Sequence, residues 1–130
     1  MATKKGDGTR APKVAEAIRG ELMKMLLAGE VHDPGVQKAV VSSVKITGDL
    51  RLAKVYVRVL ELGADQKTKE ALVKALERAK GFLRSQLAQR LDLRYAPDMR
   101  FFYDESIDRG ADIEALLREI KTSDGDKPKD

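Results

Sequence analysis

Between Arg78 and Arg94 the stretch RAKGFLRSQLAQRLDLR carries five basic side chains and a single acidic one, Asp92. Four of the five are arginines, whose planar guanidinium fork stays charged and matches the paired oxygens of a phosphate. A phosphodiester backbone is the natural partner for cations gathered at this density. Gly81 lies in their midst, inside a segment that otherwise reads as one amphipathic helix. Glycine in a helix interior costs about 1 kcal/mol relative to alanine, so the position asks for a reason. One is close packing of an unbroken helix against a neighbour. The other is a bend, or a close approach of backbone to something, between two helices. A bend would open the first amides of the second helix, which attract anions, beside Arg78, Lys80 and Arg84. Charge and spacing add Arg90 and Arg94 to the candidate phosphate contacts.

Two further basic groups are secondary candidates. Arg10, Lys13 and Arg19 cluster where the first helix is expected to start. Lys45, Lys54 and Arg58 fall on the polar face of two alternating segments, with Tyr56 and Phe102 among them as rings able to stack on bases. Ordinary solvation accounts for both groups at least as well, and Phe102 is expected to pack beneath the C-terminal segment.

Catalytic chemistry finds few residues to use. His32 is the sole histidine, and cysteine is absent, which excludes thiolate ligands, disulfides and cysteine nucleophiles together. Asp104, Glu105 and Asp108 form an acidic cluster that could suggest a magnesium site. Asp104 and Glu105 are sequence neighbours, however, and acids there are common turn and cap formers. The expectation is no catalytic residue, no metal and no cofactor: not an enzyme.

The elements that must position these residues follow from periodicity. The chain has 130 residues, enough for one domain, with 42% hydrophobic and 35% charged residues. Residues 1–103 hold 20 Lys and Arg against 12 Asp and Glu, a net of +8, whereas residues 104–130 hold 5 against 9, a net of −4. The body is basic and the C-terminal segment acidic. Residues 1–11 are polar and glycine-rich, without the apolar run of a secretory signal, and read as a flexible basic tail. No apolar run approaches the roughly 20 residues a membrane helix needs. Val14, Ala17, Ile18, Leu22, Met25 and Leu26 make a helical stripe behind Pro12, which Gly29 and Asp33–Pro34 end. Val40, Val44 and Ile46 then alternate against Val41, Ser43, Lys45 and Thr47, and Gly48–Asp49 suits a two-residue hairpin turn. Ala53, Val55, Val57 and Val59 alternate against Lys54, Tyr56 and Arg58. Asp65 is a helix cap for a segment whose leucines run to Leu91. Met99, Phe101 and Tyr103 alternate against Arg100 and Phe102, and Ile113, Leu116, Leu117 and Ile120 form a last weak helical stripe. Residues 122–130 read as a flexible tail.

The order α-β-β-α-α-β, divided at the glycine, resembles the KH fold of the type found in bacteria (type II). The segments VAEAIRGEL, VSSVKITGDLRLAKVYV, AKGFLRSQLAQRLDLRYAPDMRFFYD and SIDRG are similar to those of the bacterial ribosome-binding factor A family, over roughly residues 10–121. An ordinary KH module has Gly-x-x-Gly between its helices; Ala79-Lys80-Gly81 instead matches the family's Ala-x-Gly kink. The resemblance implies one α+β KH-like domain over 12–121, with its helices on one face of a three-stranded sheet and the kink between the central helices. It implies a non-enzymatic, cytoplasmic assembly factor that binds the free or immature 30S small ribosomal subunit and its 16S rRNA. Such factors promote maturation of the 16S rRNA 5′ end and support growth in the cold. A monomer without membrane attachment or small-molecule substrate is expected. The alternatives are a general single-stranded RNA-binding protein of this fold and a protein-interaction module of the translation apparatus.

Overall fold

Unbroken alternation from Leu52 to Val59 makes the strand on which everything else is built. In the computed structural model, which describes residues 2–61 and 63–106 and side chains from Arg10 onward, three strands form one sheet. They are β1 (Ala39–Ile46), β2 (Leu52–Val59) and β3 (Asp98–Tyr103), with β2 central, antiparallel to β1 and parallel to β3. Ala53, Val55, Val57 and Val59 turn one face of β2 inward, where Met99 and Phe101 of β3 join them. Three helices cover that face: α1 (Ala2–Leu27), α2 (Gln66–Arg78) and α3 (Lys80–Arg90). Ile18, Leu22 and Met25 of α1, Leu72 and Leu76 of α2, and Leu83 and Leu87 of α3 complete a single core. The apolar area removed from water, worth about 25 cal/mol per Å², holds the two layers together. A parallel β2–β3 pair requires a long crossover, and α2 with α3 supplies it.

The expected α+β architecture is present, with four local differences. First, α1 begins at Ala2 and runs through Pro12, so residues 2–11 are helical where composition suggests an open tail. Proline removes one intrahelical donor, yet the carbonyls upstream can still accept from residues beyond it. Second, Ala15 rather than Ala17 faces the core, because the stripe tracks Ile18, Leu22 and Met25.

Third, β1 changes face midway. Val41 pairs with Val57, yet Ser43 rather than Ser42 pairs with Tyr56, so Ser42 is an extra residue at a bulge. Ala39 and Val41 therefore face inward before it, and Val44 and Ile46 pack against the core after it. Simple alternation put Val41 outside; the bulge resets the phase. Ser42 Oγ lies 2.6 Å from Asp104 Oδ2 and 3.1 Å from the Tyr56 carbonyl, which holds the bulge in place. Fourth, the hairpin is longer than two residues. The Thr47 amide donates to the Leu52 carbonyl at 3.0 Å, which leaves residues 48–51 as the loop, and Leu50 takes φ 61°. The Asp49 carboxylate accepts from Thr47 Oγ1 at 2.7 Å and from the Arg51 amide at 3.1 Å, a local bonding pattern that favours this wider loop.

Asp65 caps α2 as expected, accepting from the Thr68 amide at 2.9 Å. A short 3-10 helix, Pro34–Val36, lies against α2 at Gly35. A Cβ on Gly35 would stand 2.8 Å from the Ala71 carbonyl oxygen and 2.9 Å from Ala75 Cβ, so only glycine fits. The Ile113–Ile120 stripe and the 122–130 tail lie outside the described residues.

Candidate nucleic-acid interface

The two central helices are separate, and the residue between them is Ala79, with φ −88° and ψ 2°. Its amide is shared between the carbonyls of Ala75 and Leu76, both at 3.1 Å, which tightens the last turn of α2. Ala79 then serves as N-cap of α3 without a side-chain acceptor, so the amides of the first turn of α3 lack intrahelical partners. Gly81 is the second residue of α3. A Cβ there would meet nothing within 4 Å, and its φ lies outside the left-handed region. The close-packing explanation for Gly81 therefore fails: no neighbour within the described residues requires a glycine.

The cations named from sequence divide into three groups. At the junction, Arg78 donates to Asp33 Oδ2 through Nε at 3.1 Å and Nη2 at 2.8 Å, and Lys80 pairs with Glu77 at 3.0 Å. The Asp33 carboxyl is held below the usual carboxylate range, first by the Gly35 amide and then by Arg78. Asp33 and Arg78 edge a hollow with exposed His32 and half-exposed Phe82. At the far end of α3, Arg90 reaches Glu30 and, at 3.9 Å, Glu21, and so ties α3 to the end of α1.

Arg84 and Arg94 form the third group, and Arg10 joins them. Arg84 donates from Nη2 to the Ala96 carbonyl and from Nε to the Pro97 carbonyl, each at 3.0 Å, and so pins the segment leading into β3. Together with Arg51 of the hairpin loop, these arginines line a cleft of about 550 Å³. Tyr95 stands on its wall with the Arg94 guanidinium 5.9 Å from its ring centre. Asp49 and Asp98 also border the cleft, but each already accepts from a backbone amide, those of Arg51 and Met99. Four guanidinium groups around a hollow of this size can receive phosphate oxygens, with an aromatic ring close by for a base.

Of the other secondary candidates, Arg19 pairs with Glu16 on its own helix at 2.6 Å, a bond that lowers the Glu16 carboxyl and raises the arginine. Lys13 is exposed nearby. Arg58 donates to the Val59 carbonyl at 3.0 Å. Lys45 and Lys54 are directly paired across β1 and β2 on the open face. Phe102 is 40% exposed, and the C-terminal segment expected to cover it lies outside the described residues.

Arg51 and Arg100 are additions. Alternation in MRFFYD already turned Arg100 outward, but nothing local marks Arg51, which reaches the cleft only through the hairpin. Asp104 is engaged by Ser42 and Ser106: burial raises its carboxyl, and the bonds from the two serines outweigh that and lower it. Glu105 pairs with Lys69 at 2.7 Å, and Asp108 lies outside the described residues. Among the described residues no cluster of three His, Asp or Glu is placed to hold a metal ion, and no helix is long and apolar enough to cross a membrane.

Comparison with known proteins adds a pattern that covers this site. The family described as Ribosome-binding factor A matches residues 10–117. A protein of that name from Sorangium cellulosum is 48% identical over 113 residues, covering 86% of this chain and 89% of its own. Among solved structures, ribosome-binding factor A from Thermus thermophilus superimposes with a TM-score of 0.59 at 25% identity, over 72% of this chain and 94% of that one. A second Thermus thermophilus structure of the factor, a homology model fitted into a cryo-EM map of a 30S complex, gives a TM-score of 0.50 at 23% identity, over 68% and 93%.

Proposed function

The chain belongs to the ribosome-binding factor A family, and on that premise we propose that it is a non-enzymatic assembly factor of the small ribosomal subunit. It binds the free or immature 30S particle through 16S rRNA and promotes maturation of the 16S rRNA 5′ end, supporting growth in the cold. It acts in the cytoplasm as a monomer, with no cofactor. The domain is read as a type II KH-like fold in which Ala79-Lys80-Gly81 forms the interhelical kink, and the open space over Gly81 lets an RNA backbone come close to the first turn of α3.

The observation that carries this reading is the cleft of Arg10, Arg51, Arg84 and Arg94. It gathers arginines from α1, the hairpin loop, α3 and the entry to β3 at one hollow, and contacts of this kind go to backbone phosphates rather than to base identity. One neighbour of the same fold is described in a 30S complex; the proposal extends that partner to this chain.

Cosedimentation with purified small subunits, large subunits and intact ribosomes across a salt series tests it. Selective binding to free small subunits, falling steeply with salt, is expected. Equal binding to all particles would leave a general single-stranded RNA binder, and a complex insensitive to salt would favour a protein-interaction module. Replacing Arg10 and Arg94 by glutamate should abolish small-subunit binding while leaving the melting temperature close to the parent's, because among the described residues neither guanidinium makes a hydrogen bond or ion pair.

A further inference from the structure

We propose that the outer face of the sheet is a second RNA surface, separate from the arginine cleft, on which unpaired bases of single-stranded RNA stack. It rests on the reading of this chain as an RNA binder and adds where, and in what form, RNA is held.

The three helices among the described residues all pack on the inner face of the sheet. On the outer face the strand register places Lys45, Lys54 and Arg100 in one row, one from each strand. With strands about 4.8 Å apart, the row spans roughly 10 Å. Two residues along lies a second row, Ser43, Tyr56 and Phe102. The Tyr56 and Phe102 rings are stacked, with centres 5.5 Å apart and planes inclined by 27°, and Lys45 Nζ lies 5.7 Å from the Tyr56 ring centre.

Availability separates this face from the cations of α2 and α3 around the Ala79 junction. Among the described residues Lys54 and Arg100 make no hydrogen bond or ion pair, whereas Arg78, Lys80 and Arg90 each have a carboxylate partner. A half-exposed phenylalanine beside uncompensated cations is a poor solvated surface and a poor apolar docking face, because burying it under another protein would desolvate Lys54 and Arg100 without partners. A stacked base needs both features at once. Its π-face lies on Phe102, and its phosphates remain within reach of the cationic row about 7 Å along the strands. Ser43 leaves the β1 end of the aromatic row low, so a strand can enter from that side. Paired RNA hides its bases and cannot use the rings.

The test is fluorescence anisotropy of the full chain with a labelled ten-residue oligouridine, compared with a hairpin duplex of the same length. Phe102→Ala and Phe102→Leu should each weaken oligouridine about tenfold and leave the duplex unchanged. The leucine variant keeps apolar cover on the sheet, so a loss there belongs to the ring and not to the fold. Lys54→Gln with Arg100→Gln should reduce the salt slope by about 1.4, two phosphates at about 0.7 each. Parent-like affinity in Phe102→Leu, equal losses for the duplex, or no oligouridine binding by the parent would overturn the platform. Cosedimentation reports on the assembly-factor reading by itself: loss of small-subunit binding with ring-dependent oligouridine binding intact would sink that reading and leave the platform standing.

Discussion

The Ala79 junction and the outer face of the sheet use their cations differently. Around the Ala79 junction Arg78 is tied to Asp33, Lys80 to Glu77, Arg84 to two backbone carbonyls and Arg90 to Glu30. Across the sheet, Lys54 and Arg100 are unpaired among the described residues. The helical cations hold α1, α2, α3 and the entry to β3 in register with one another. Among the described residues Lys54 and Arg100 hold nothing. Density of charge along the chain thus marks where charge is concentrated, and only the folded geometry marks where it is available to a ligand.

If that contrast is right, damage on the helical side appears first as lost stability. The largest effect is expected at Gly35, the point where the Pro34–Val36 turn presses on α2. Gly35→Ala puts a methyl 2.8 Å from a backbone oxygen that cannot rotate away, and overpacking of this kind costs about 1–3 kcal/mol. Denaturant melts should show it. A variant as stable as the parent would mean that the turn can lift from α2 freely, and the helical side would lose its claim to rigidity.

Arg84→Ala comes next. It removes both donors to the Ala96 and Pro97 carbonyls, a loss of about 1–3 kcal/mol where the partners stay shielded from water. Lys54→Ala, the matched change on the sheet, should stay within about 0.5 kcal/mol of the parent. Comparing the two in one set of melts breaks the contrast if their effects are equal.

These pairings explain what could be read from sequence and what could not. The phase of β2 was legible because its alternation runs unbroken for a whole strand, and the leucine spacing in α2 and α3 was legible for the same reason. In β1 the serine pair at 42–43 is compatible with either phase, and only pairing with β2 reveals which residue is the bulge. The helical state of residues 2–11 has no apolar stripe to announce it. The arginines were legible as charges, but their partners were not: Asp33 is 45 residues from Arg78, and Glu30 is 60 from Arg90. Arg51 entered the cleft through a loop whose length the sequence misstates. Gly81 drew attention as the odd residue in a helix, yet the glycine that the packing demands is Gly35, in a turn where a glycine looks ordinary.

Gly81 gives a smaller effect of opposite sign. With nothing near its missing Cβ and an ordinary φ, Gly81→Ala should stabilise the domain by about 0.4–1 kcal/mol, because alanine loses less freedom on forming a helix. Small-subunit binding should weaken at the same time if RNA backbone approaches α3 there. A gain in stability with unchanged binding would move the contact away from Gly81 and leave the arginine cleft as the sole helical-side site.

The smallest effect separates the two sides by their response to pH. The Asp33 carboxyl sits below its ordinary value because the charged form accepts from the Gly35 amide and from Arg78. A depressed folded value means that the contribution is complete above the unfolded carboxylate value, about 3.9, and is lost as pH falls through the folded one. Parent and Asp33→Asn should therefore differ in melting temperature by a constant amount above about pH 5 and converge below about pH 4. Parent and Lys54→Gln should show no such convergence, since that lysine has no carboxylate partner among the described residues. If the Asp33 pair stays equally far apart at low pH, the turn is held to α2 by the fit of Gly35 rather than by charge, and the helical cations are more available to a ligand than their distances imply.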